Sequence, residues 1–191
     1  YWKKVTSLCK KYEVLTIVDD VRAGFRINLK GSNVAFAFSP DMICFGKAIA
    51  NGHPLASLVG TNDLKKAAER VYFTGTQFFS APPMAAAIAT LNELEKADAP
   101  SVLIQYGKKL NSRLEKVASD KGFNLISSGI PSMPYYRLEG VTFETHIKWI
   151  DECVKRGVYM LAYHNHFISL AHSEEDIDFI EGAAKQAFEN L

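Results

Sequence analysis

The chain has 191 residues, of which 48% are hydrophobic and 23% charged, and its formal net charge is +1 at pH 7. Such a composition is typical of a globular protein with one sizeable core, or with one large and one small lobe. The near-neutral charge gives no electrostatic reason to expect a nucleic acid or an anionic membrane as partner, and no apolar run is long enough to span a membrane.

The chain contains three cysteines at wide spacings, Cys9, Cys44 and Cys153. An odd number of cysteines without a CxxC pair predicts neither a disulfide framework nor a cysteine metal site, and it favours a reducing compartment. No signal peptide is visible, so we expect a cytoplasmic protein. The chain begins at Tyr1-Trp-Lys-Lys inside a predicted helix, which we interpret as the later part of a longer polypeptide.

The first part of the chain alternates helical and strand-like patterns, which predicts an α/β fold. Residues 1–12 have the spacing of an amphipathic helix, and residues 14–19 form a β-branched apolar run that is typical of a buried strand. Residues 22–40 are predicted as loop. The next predicted elements are strands at Met42–Phe45 and Ala56–Val59, a helix at 62–70 capped by Asn62 or Asp63, a loop at 73–83 and a helix from Pro83 to about Ala97.

The second part has the pattern of a smaller α+β lobe, so we predict two domains, residues 1–110 and 111–191. Its predicted helices cover about 101–120, Thr142–Arg156 and a last segment opened by the capping-box pattern Ser173-Glu-Glu-Asp176. Its predicted strands are Phe123–Ser127, Met133–Leu138, Val158–Leu161 and His166–Leu170.

Two apolar strands of the predicted sheet end in residues of opposite charge. The run ending at Val18 is followed by Asp19, and the run ending at Phe45 is followed, after Gly46, by Lys47. Strand ends of an open α/β sheet line the crevice where ligands bind. We therefore expect Asp19 and Lys47 to face one ligand, which carries a basic ring nitrogen at one end and an aldehyde at the other.

Each of the two residues has a chemical reason to act on such a ligand. Burial of Lys47 at a strand end would lower the pKa of its amine from about 10.4, and a neutral amine forms a Schiff base with an aldehyde. A carboxylate at Asp19 is costly unless it has a partner, and a protonated pyridine nitrogen is such a partner. Taken alone, Lys47 is also compatible with an exposed lysine after a strand, and Asp19 with a cap on the following loop.

Asp20, next to Asp19, opens a second interpretation. Paired acids suggest Mg²⁺, and a strand ending in Asp-Asp with a later strand-end lysine is the pattern of phosphoryl-accepting receiver domains. That pattern requires a third acid at the end of an intervening strand, whereas Asp41 precedes its strand. The receiver domain is therefore the less favoured alternative.

Further candidates for ligand contacts flank the two strand ends. Val21 projects from the same side as Asp19 and is expected to pack against the ring face. Arg22 and Arg26 either bind a substrate carboxylate through their fork geometry or pair with the neighbouring acid. His53 either lines the site or belongs only to the Gly-His-Pro turn.

The loop Thr74-Gly75-Thr76 precedes a helix, where hydroxyl and backbone N–H groups suit a phosphate, although a turn at the helix entry is equally compatible. His164 and His166 permit metal binding with His172 as a third ligand, but their spacing is unconvincing, so a structural role is favoured and no metal is expected. No GxGxxG or GxxxxGK[ST] motif supports a dinucleotide or P-loop site.

Four segments of the chain resemble the class III pyridoxal-phosphate (PLP) aminotransferases. They are Val18-Asp-Asp-Val-Arg-Ala-Gly-Phe-Arg26, Pro40-Asp-x-x-x-x-Gly-Lys-x-Ile-x-x-Gly-x-Pro54, Phe73-Thr-Gly-Thr76 with Pro83-Met-Ala-Ala-Ala, and His172-Ser-Glu-Glu-Asp-Ile-Asp178. Within the class, the chain is most similar to the glutamate-1-semialdehyde aminomutase-like branch. The resemblance implies a PLP-dependent transferase of fold type I, with a partial large-domain sheet followed by a C-terminal α+β small domain.

The resemblance also implies a role for individual residues. Lys47 would form the Schiff base with PLP and then serve as the general acid/base of a 1,3-proton shift. Asp19 would pair with the pyridine nitrogen, Val21 would pack on the ring, and Thr76 would contact the phosphate from the neighbouring subunit of a homodimer. The implied activity is transfer or relocation of an amino group on a small amino or keto substrate.

The chain departs from the family pattern in three respects. Asp20 replaces the usual Glu, and Gln77-Phe-Phe-Ser-Ala-Pro replaces the commoner Leu-Ser-Gly-Asn-Pro type of loop. Family members also carry an N-terminal half with a Gly-Ser/Thr phosphate loop and an aromatic residue that stacks on the ring, and these 191 residues include neither. A second hypothesis is therefore a catalytically incomplete fragment that does not hold PLP alone.

Overall fold

Three short strands form the sheet in the first part of the chain. In the computed structural model, which describes residues 1–191, β1 (Ile17–Asp19) pairs in parallel with β2 (Met42–Phe45), and β2 pairs in antiparallel with β3 (Ser57–Gly60). Helix α1 (Trp2–Lys11) precedes the sheet, as predicted. The remaining helices of this unit, which ends at Pro100, are α2 (Ser32–Ala35) within the predicted loop, α3 (Lys65–Ala68) and α4 (Ala81–Lys96).

Strand β1 is shorter and more exposed than the sequence predicts. The prediction of a buried strand over residues 14–19 is wrong, because Val14, Leu15 and Ile17 are exposed and the strand begins only at Ile17. β1 is an edge strand with β2 as its one neighbour, and the register places Ile17 opposite Met42. An edge strand without a packed face gains little from β-branched side chains, so propensity alone overestimates its burial.

A small apolar core packs against the turn that follows β2. It consists of Phe25, Phe45, Ile49, Ala50 and Ala87. Helix α4 begins with prolines in its first turn, as predicted, where their missing N–H groups cost nothing. The core thus joins α4 to the short 3-10 turn that starts at Lys47.

The helix predicted over residues 62–70 instead begins with a 3-10 turn, Asn62–Leu64, ahead of α3. Neither predicted cap, Asn62 or Asp63, stands at its N-terminus. Thr61 occupies that position, and no side-chain hydrogen bond caps the turn. The N–H of Thr61 donates to the carbonyl of Asp41, the residue before β2, at 3.0 Å. Thr61 is therefore still hydrogen-bonded to the neighbouring chain segment, and the helical turn starts after it.

The second unit, Ser101–Leu191, contains an antiparallel hairpin and three helices. Strand β4 (Asn124–Ile130) pairs with β5 (Met133–Glu139), and the helices are α5 (Ala99–Asp120), α6 (Phe143–Lys155) and α7 (Glu174–Phe188). The units divide between Pro100 and Ser101 rather than after residue 110, because α5 packs along its length in the core of the second unit. None of the helices combines the length and apolar character that crossing a membrane requires.

The core of the second unit is larger than that of the first. It is formed by the predicted apolar faces of its helices together with the hairpin, and its largest fully buried side chains are Trp149 and Tyr136. The predicted capping box is present, since Ser173 and Asp176 exchange side-chain and backbone hydrogen bonds at the start of α7. Ion pairs join α5 to α7, namely Lys109 to Glu174 and Arg113 to Asp178 and Glu181, and a further pair, Lys121 to Glu189, joins the residues that follow the two helices.

The two strands predicted after α6 do not form. Residues 158–161 form no strand, and residues 166–170 run beside β5 without forming a ladder. The N–H groups of His166 and Ile168 donate to the carbonyls of Pro134 and Ser132 at 2.8 and 3.1 Å. Pro134 has no N–H with which to return a bond, so the pairing stays one-directional.

Gly107 lies in α5 where the helix meets the turn between β4 and β5. A Cβ atom at this position would lie 1.8 Å from the carbonyl oxygen of Pro131, which is backbone and cannot move aside. We expect Gly107→Ala to lower the free energy of unfolding by about 3 kcal/mol or more, measured by urea denaturation. Gly182 in α7 has open space around it, so Gly182→Ala should instead raise stability by about 0.5–1 kcal/mol. Equal effects of the two variants would contradict this packing.

Two histidines, the buried His146 and the half-buried His166, predict a loss of stability in mild acid. Burial lowers the pKa of His146 and His166 below the ordinary value of 6.5, so the unfolded chain takes up protons first as the pH falls. Their contribution to stability is therefore constant above about pH 6.5 and declines below it. His146→Asn, which keeps an acceptor but cannot titrate, should show a smaller decrease in melting temperature between about pH 7.5 and pH 5.5. His53→Asn, which replaces an exposed histidine, is the control. If the decrease in melting temperature became smaller in His53→Asn and not in His146→Asn, the buried histidine would not be the cause of the acid sensitivity.

Candidate active site

The carboxyl ends of β1 and β2 meet at one edge of the sheet. Asp19 is the last residue of β1 and lies opposite Cys44 in the parallel register. Lys47 follows β2 after Gly46 and begins the 3-10 turn Lys47–Ala50. Because parallel strands end at the same edge, the structure brings the carboxylate of Asp19 and the chain carrying Lys47 to the same place.

The carboxylate of Asp19 is oriented by the chain that follows it. Its Oδ1 accepts a hydrogen bond from the N–H of Val21 at 3.1 Å, a local turn that short acidic side chains favour. The residue is exposed, so the carboxylate is hydrated and accessible. This bond is the loop cap that the sequence also allows for Asp19, and the contact of Asp19 with a ring nitrogen stays a prediction.

Val21 packs against the backbone of Gly46, between the two strand ends. A Cβ atom on Gly46 would lie 3.2 Å from Val21 Cγ1 and 3.7 Å from Cγ2, a contact tighter than an alanine would normally make. The missing side chain of Gly46 thus lets the isopropyl group of Val21 pack closely against the start of the lysine turn, a contact that we call the cradle.

Lys47 has a left-handed backbone, with φ at +47°. That conformation costs a non-glycine residue on the order of 1 kcal/mol or more, and it persists only where surrounding contacts enforce it. Here the enforcing contacts are those of Ile49 and Ala50, which are buried in the core beside α4, and the hydrogen bond from Ile49 N–H to Gly46 O at 3.1 Å.

The prediction that Lys47 is buried is wrong, because its side chain is exposed. Ile49 and Ala50 of the same 3-10 turn are buried instead.

Asp20 has a role that the sequence does not reveal. It is 1% exposed, its Oδ2 accepts the N–H of Ser32 at 2.8 Å, and its Oδ1 is buried without a partner. Its backbone bonds to Cys44 O and Gly24 N. Asp19 is exposed and Asp20 buried, so the two acids do not present a joint Mg²⁺ site, and Asp20 instead anchors the segment that ends at Ser32.

The flanking candidates lie in turns. Arg22 is exposed, and Arg26 is half-buried, with desolvation lowering the pKa of its guanidinium. His53 is exposed, and its backbone N–H donates to Ala50 O at 3.1 Å. The turn role considered for His53 is therefore present, and the placement of all three side chains toward a substrate stays a prediction.

Thr76 lies in an exposed turn ahead of α4. The turn is closed by the hydrogen bond from Phe78 N–H to Gly75 O at 3.0 Å, and the ring of Phe78 packs on that of Phe73 with centroids 4.6 Å apart. No hydrogen bond links Thr76 to either strand end within this chain, and Phe79 beside it is 88% exposed. The predicted contact of Thr76 with a phosphate stays a prediction.

The histidines of the second unit bond to nearby backbone. His166 Nε2 accepts the N–H of Leu161 at 3.2 Å, and His172 Nδ1 accepts that of Ser169 at 3.0 Å. They border a cavity of about 450 Å³ that belongs to this unit alone and is lined mainly by apolar side chains, among them Leu110, Leu114, Met160, Ile168 and Ile180. These bonds support the structural role that the sequence favours for the histidines.

Comparison with known proteins supplies the evolutionary context for this geometry. The family model "Aminotransferase class-III" matches residues 1–174. The chain is 38% identical over 181 residues to aminopentol aminotransferase of Sphingopyxis macrogoltabida, covering 94% of this chain and 43% of that protein. It is 31% identical over 192 residues to 3-aminobutyryl-CoA aminotransferase of Cloacimonas acidaminovorans (strain Evry), covering 98% of this chain and 46% of that protein.

A solved structure resembles the chain over nearly its whole length. The PLP internal aldimine form of FumI protein from Sphingopyxis sp. MTA144 superposes with a TM-score of 0.92 at 37% identity, and covers 96% of this chain and 45% of that one. The likeness confirms the predicted α/β class and the fold of the PLP-dependent transferases of fold type I. The chain spans less than half the length of the relatives it matches.

Proposed function

Since this chain belongs to the class-III aminotransferase family, we propose that it supplies the catalytic lysine and the ring-nitrogen ligand of a PLP-dependent enzyme that transfers an amino group on a small amino or keto substrate. The observation that carries this proposal is the parallel register of β1 and β2, which brings Asp19 and the chain bearing Lys47 to one edge of the sheet. The PLP-bound FumI structure, at 37% identity, supports it.

The residues at this edge fit PLP by their chemistry. When bound, PLP supplies an aldehyde that condenses with amines and a protonated pyridine ring that takes up electrons. The exposed carboxylate of Asp19 is the acceptor that such a ring nitrogen needs, and the Lys47 Nζ is the amine that the aldehyde needs. The cradle between Val21 and Gly46 accepts a flat ring, since a Cβ at Gly46 would narrow it.

Each residue then has a distinct task. Asp19 holds the proton on the ring nitrogen by accepting it in a charge-assisted hydrogen bond. Lys47 would hold the cofactor through its Nζ, and as a free amine that Nζ would serve as the general acid/base of the 1,3-proton shift. Its left-handed backbone, fixed by the buried Ile49 and Ala50, restricts where that amine can reach. Val21 supports one ring face.

The remaining predicted contacts belong to this proposal as well. Thr76 donates to the cofactor phosphate across the interface of a homodimer, which its exposed turn and the exposed Phe79 favour. Arg22, Arg26 and His53 flank the site and are the candidates for the substrate carboxylate. The enzyme acts in the cytoplasm, in line with three cysteines of which none is paired.

Two finer questions concern the reaction and the extent of the chain. The relatives are named aminotransferases, and the motif resemblance to the glutamate-1-semialdehyde aminomutase-like branch leaves both transfer and relocation of the amino group open. Release of a keto product and uptake of a second substrate distinguish transfer from relocation.

The second hypothesis, an incomplete fragment, predicts that the 191 residues alone bind PLP much more weakly than the full-length protein does.

The lysine assignment predicts a specific chemical label. Full-length protein mixed with PLP should show a visible absorption band, and borohydride should convert the bound cofactor to a stable adduct. Lys47→Ala should lose the band, the adduct and about 10³-fold or more of the transfer rate. Lys65→Ala removes an exposed lysine of α3 and is the matched control. A Lys47→Ala protein that keeps the same reducible adduct would disprove the proposal.

Gly46 predicts a graded effect on PLP affinity. Gly46→Ala places a methyl group 3.2 Å from Val21 Cγ1, so either the valine or the ring must move, and we expect PLP to bind about tenfold more weakly in an equilibrium titration. Val21→Ala removes the atoms that crowd the new methyl group. In that background the Gly46→Ala change should cost less, and an undiminished cost would show that the cradle is not formed by Val21.

A further inference from the structure

The register of β1 on β2 is not determined by burial. β1 has three residues, of which Ile17 and Asp19 are exposed and only Val18 is half-buried, and it pairs with a neighbour on one side alone. A one-residue slip of a strand turns every side chain to the opposite face, and a strand without a buried face does not resist that slip by itself. Among the contacts within these 191 residues, another interaction therefore fixes where Asp19 lies.

That interaction is a pair of side chains placed immediately before the two strands. Asp41 Oδ2 accepts hydrogen bonds from both the N–H and the hydroxyl of Thr16, each at 2.7 Å. In return, the N–H of Asp41 donates to Thr16 Oγ1 at 3.0 Å and to Thr16 O at 3.1 Å. We call this pair the register clamp.

The register clamp uses the full hydrogen-bonding capacity of the Thr16 hydroxyl, which donates to the carboxylate and accepts from the backbone N–H. The bonds that Thr16 donates, first from its N–H and then from its hydroxyl, lower the pKa of the Asp41 carboxyl, so the charged and strongest acceptor is present at neutral pH. The carbonyl of Asp41 also accepts the N–H of Thr61 at 3.0 Å, which ties in the end of β3.

The register clamp sets the position of the site at the far ends of the strands. Thr16 precedes Ile17 and Asp41 precedes Met42, and these strand residues are partners, as are Asp19 and Cys44. If Thr16 moved by one residue against Asp41, the Asp19 side chain would point to the opposite face of the sheet. The Val21 turn, which starts from Asp19 Oδ1, would move with it.

We propose that Thr16 and Asp41 are positioning residues for the cofactor site: by fixing the register of β1 on β2 they hold Asp19 where the ring nitrogen binds. The effect on cofactor binding rests on the proposed function, because it requires PLP to bind at the strand ends. The register of β1 on β2 does not depend on PLP.

The test compares PLP dissociation constants in full-length variants. Thr16→Val keeps the shape but removes the hydroxyl, and it should weaken PLP binding about tenfold, whereas Thr16→Ser restores the hydroxyl and should restore the affinity. Thr6→Val removes a threonine hydroxyl that bonds only within α1 and is the matched control. Asp41→Asn keeps the shape of the side chain but makes it a weaker acceptor, so it should lose less PLP affinity than Thr16→Val does. It replaces Thr16→Val in the test if that variant fails to fold.

A double-mutant cycle separates positioning from general stability. If Thr16 acts through Asp19, then Thr16→Val should have no further effect on PLP affinity once Asp19→Asn is present; equal losses in both backgrounds would overturn the proposal. Hydrogen exchange of the amides of residues 17–19 in the cofactor-free protein gives a second readout and should accelerate in Thr16→Val but not in Thr6→Val. Absence of PLP binding in the unmodified protein would refute the proposed function, whereas unchanged exchange would refute the register clamp alone.

Discussion

The parallel pairing of β1 with β2 is the constraint on which the site depends. It joins three residues to three, with Asp19 opposite Cys44, and its polar anchor is the four-bond contact between Thr16 and Asp41 at the start of both strands. Within these 191 residues β1 is an edge strand with little burial, so the hydrogen bonds of Thr16 and Asp41 rather than apolar packing set its register. The carboxylate and the lysine turn at the other end follow from it.

The lysine side of the site relies on a different kind of interaction. Lys47 has a left-handed backbone that is unfavourable in isolation, and the buried Ile49 and Ala50 stabilise it against α4. A polar contact thus positions the acid, while apolar packing positions the amine. Gly46 lies between the two, and its missing side chain lets Val21 approach the backbone closely enough to form the proposed ring cradle.

Local patterns predicted much of this structure. Helices α4 to α7, the hairpin and the capping box at Ser173 depend on neighbours along the chain, and the predicted α/β class with a PLP-transferase fold is confirmed. The predictions that are wrong have non-local causes. Pro134 has no N–H to donate to residues 166–168, so no strand forms there, and the exposure of β1 and of Lys47 depends on which residues pack beside them. Strand-end chemistry is enough to predict the pair Asp19 and Lys47. The roles of Thr16, Asp41 and Asp20 could not be predicted, because they arise from contacts between residues that are 12 to 25 positions apart in the sequence.

In the proposed site, β1 and β2 present an acid and an amine to opposite ends of one ring. A crystal structure of the full-length protein soaked with PLP would show both contacts at once. We expect the ring nitrogen within about 3 Å of an Asp19 carboxylate oxygen, continuous density from Lys47 Nζ to the cofactor, and Val21 against the ring. A ring nitrogen that faces another group, or a cofactor joined to a different lysine, would contradict it.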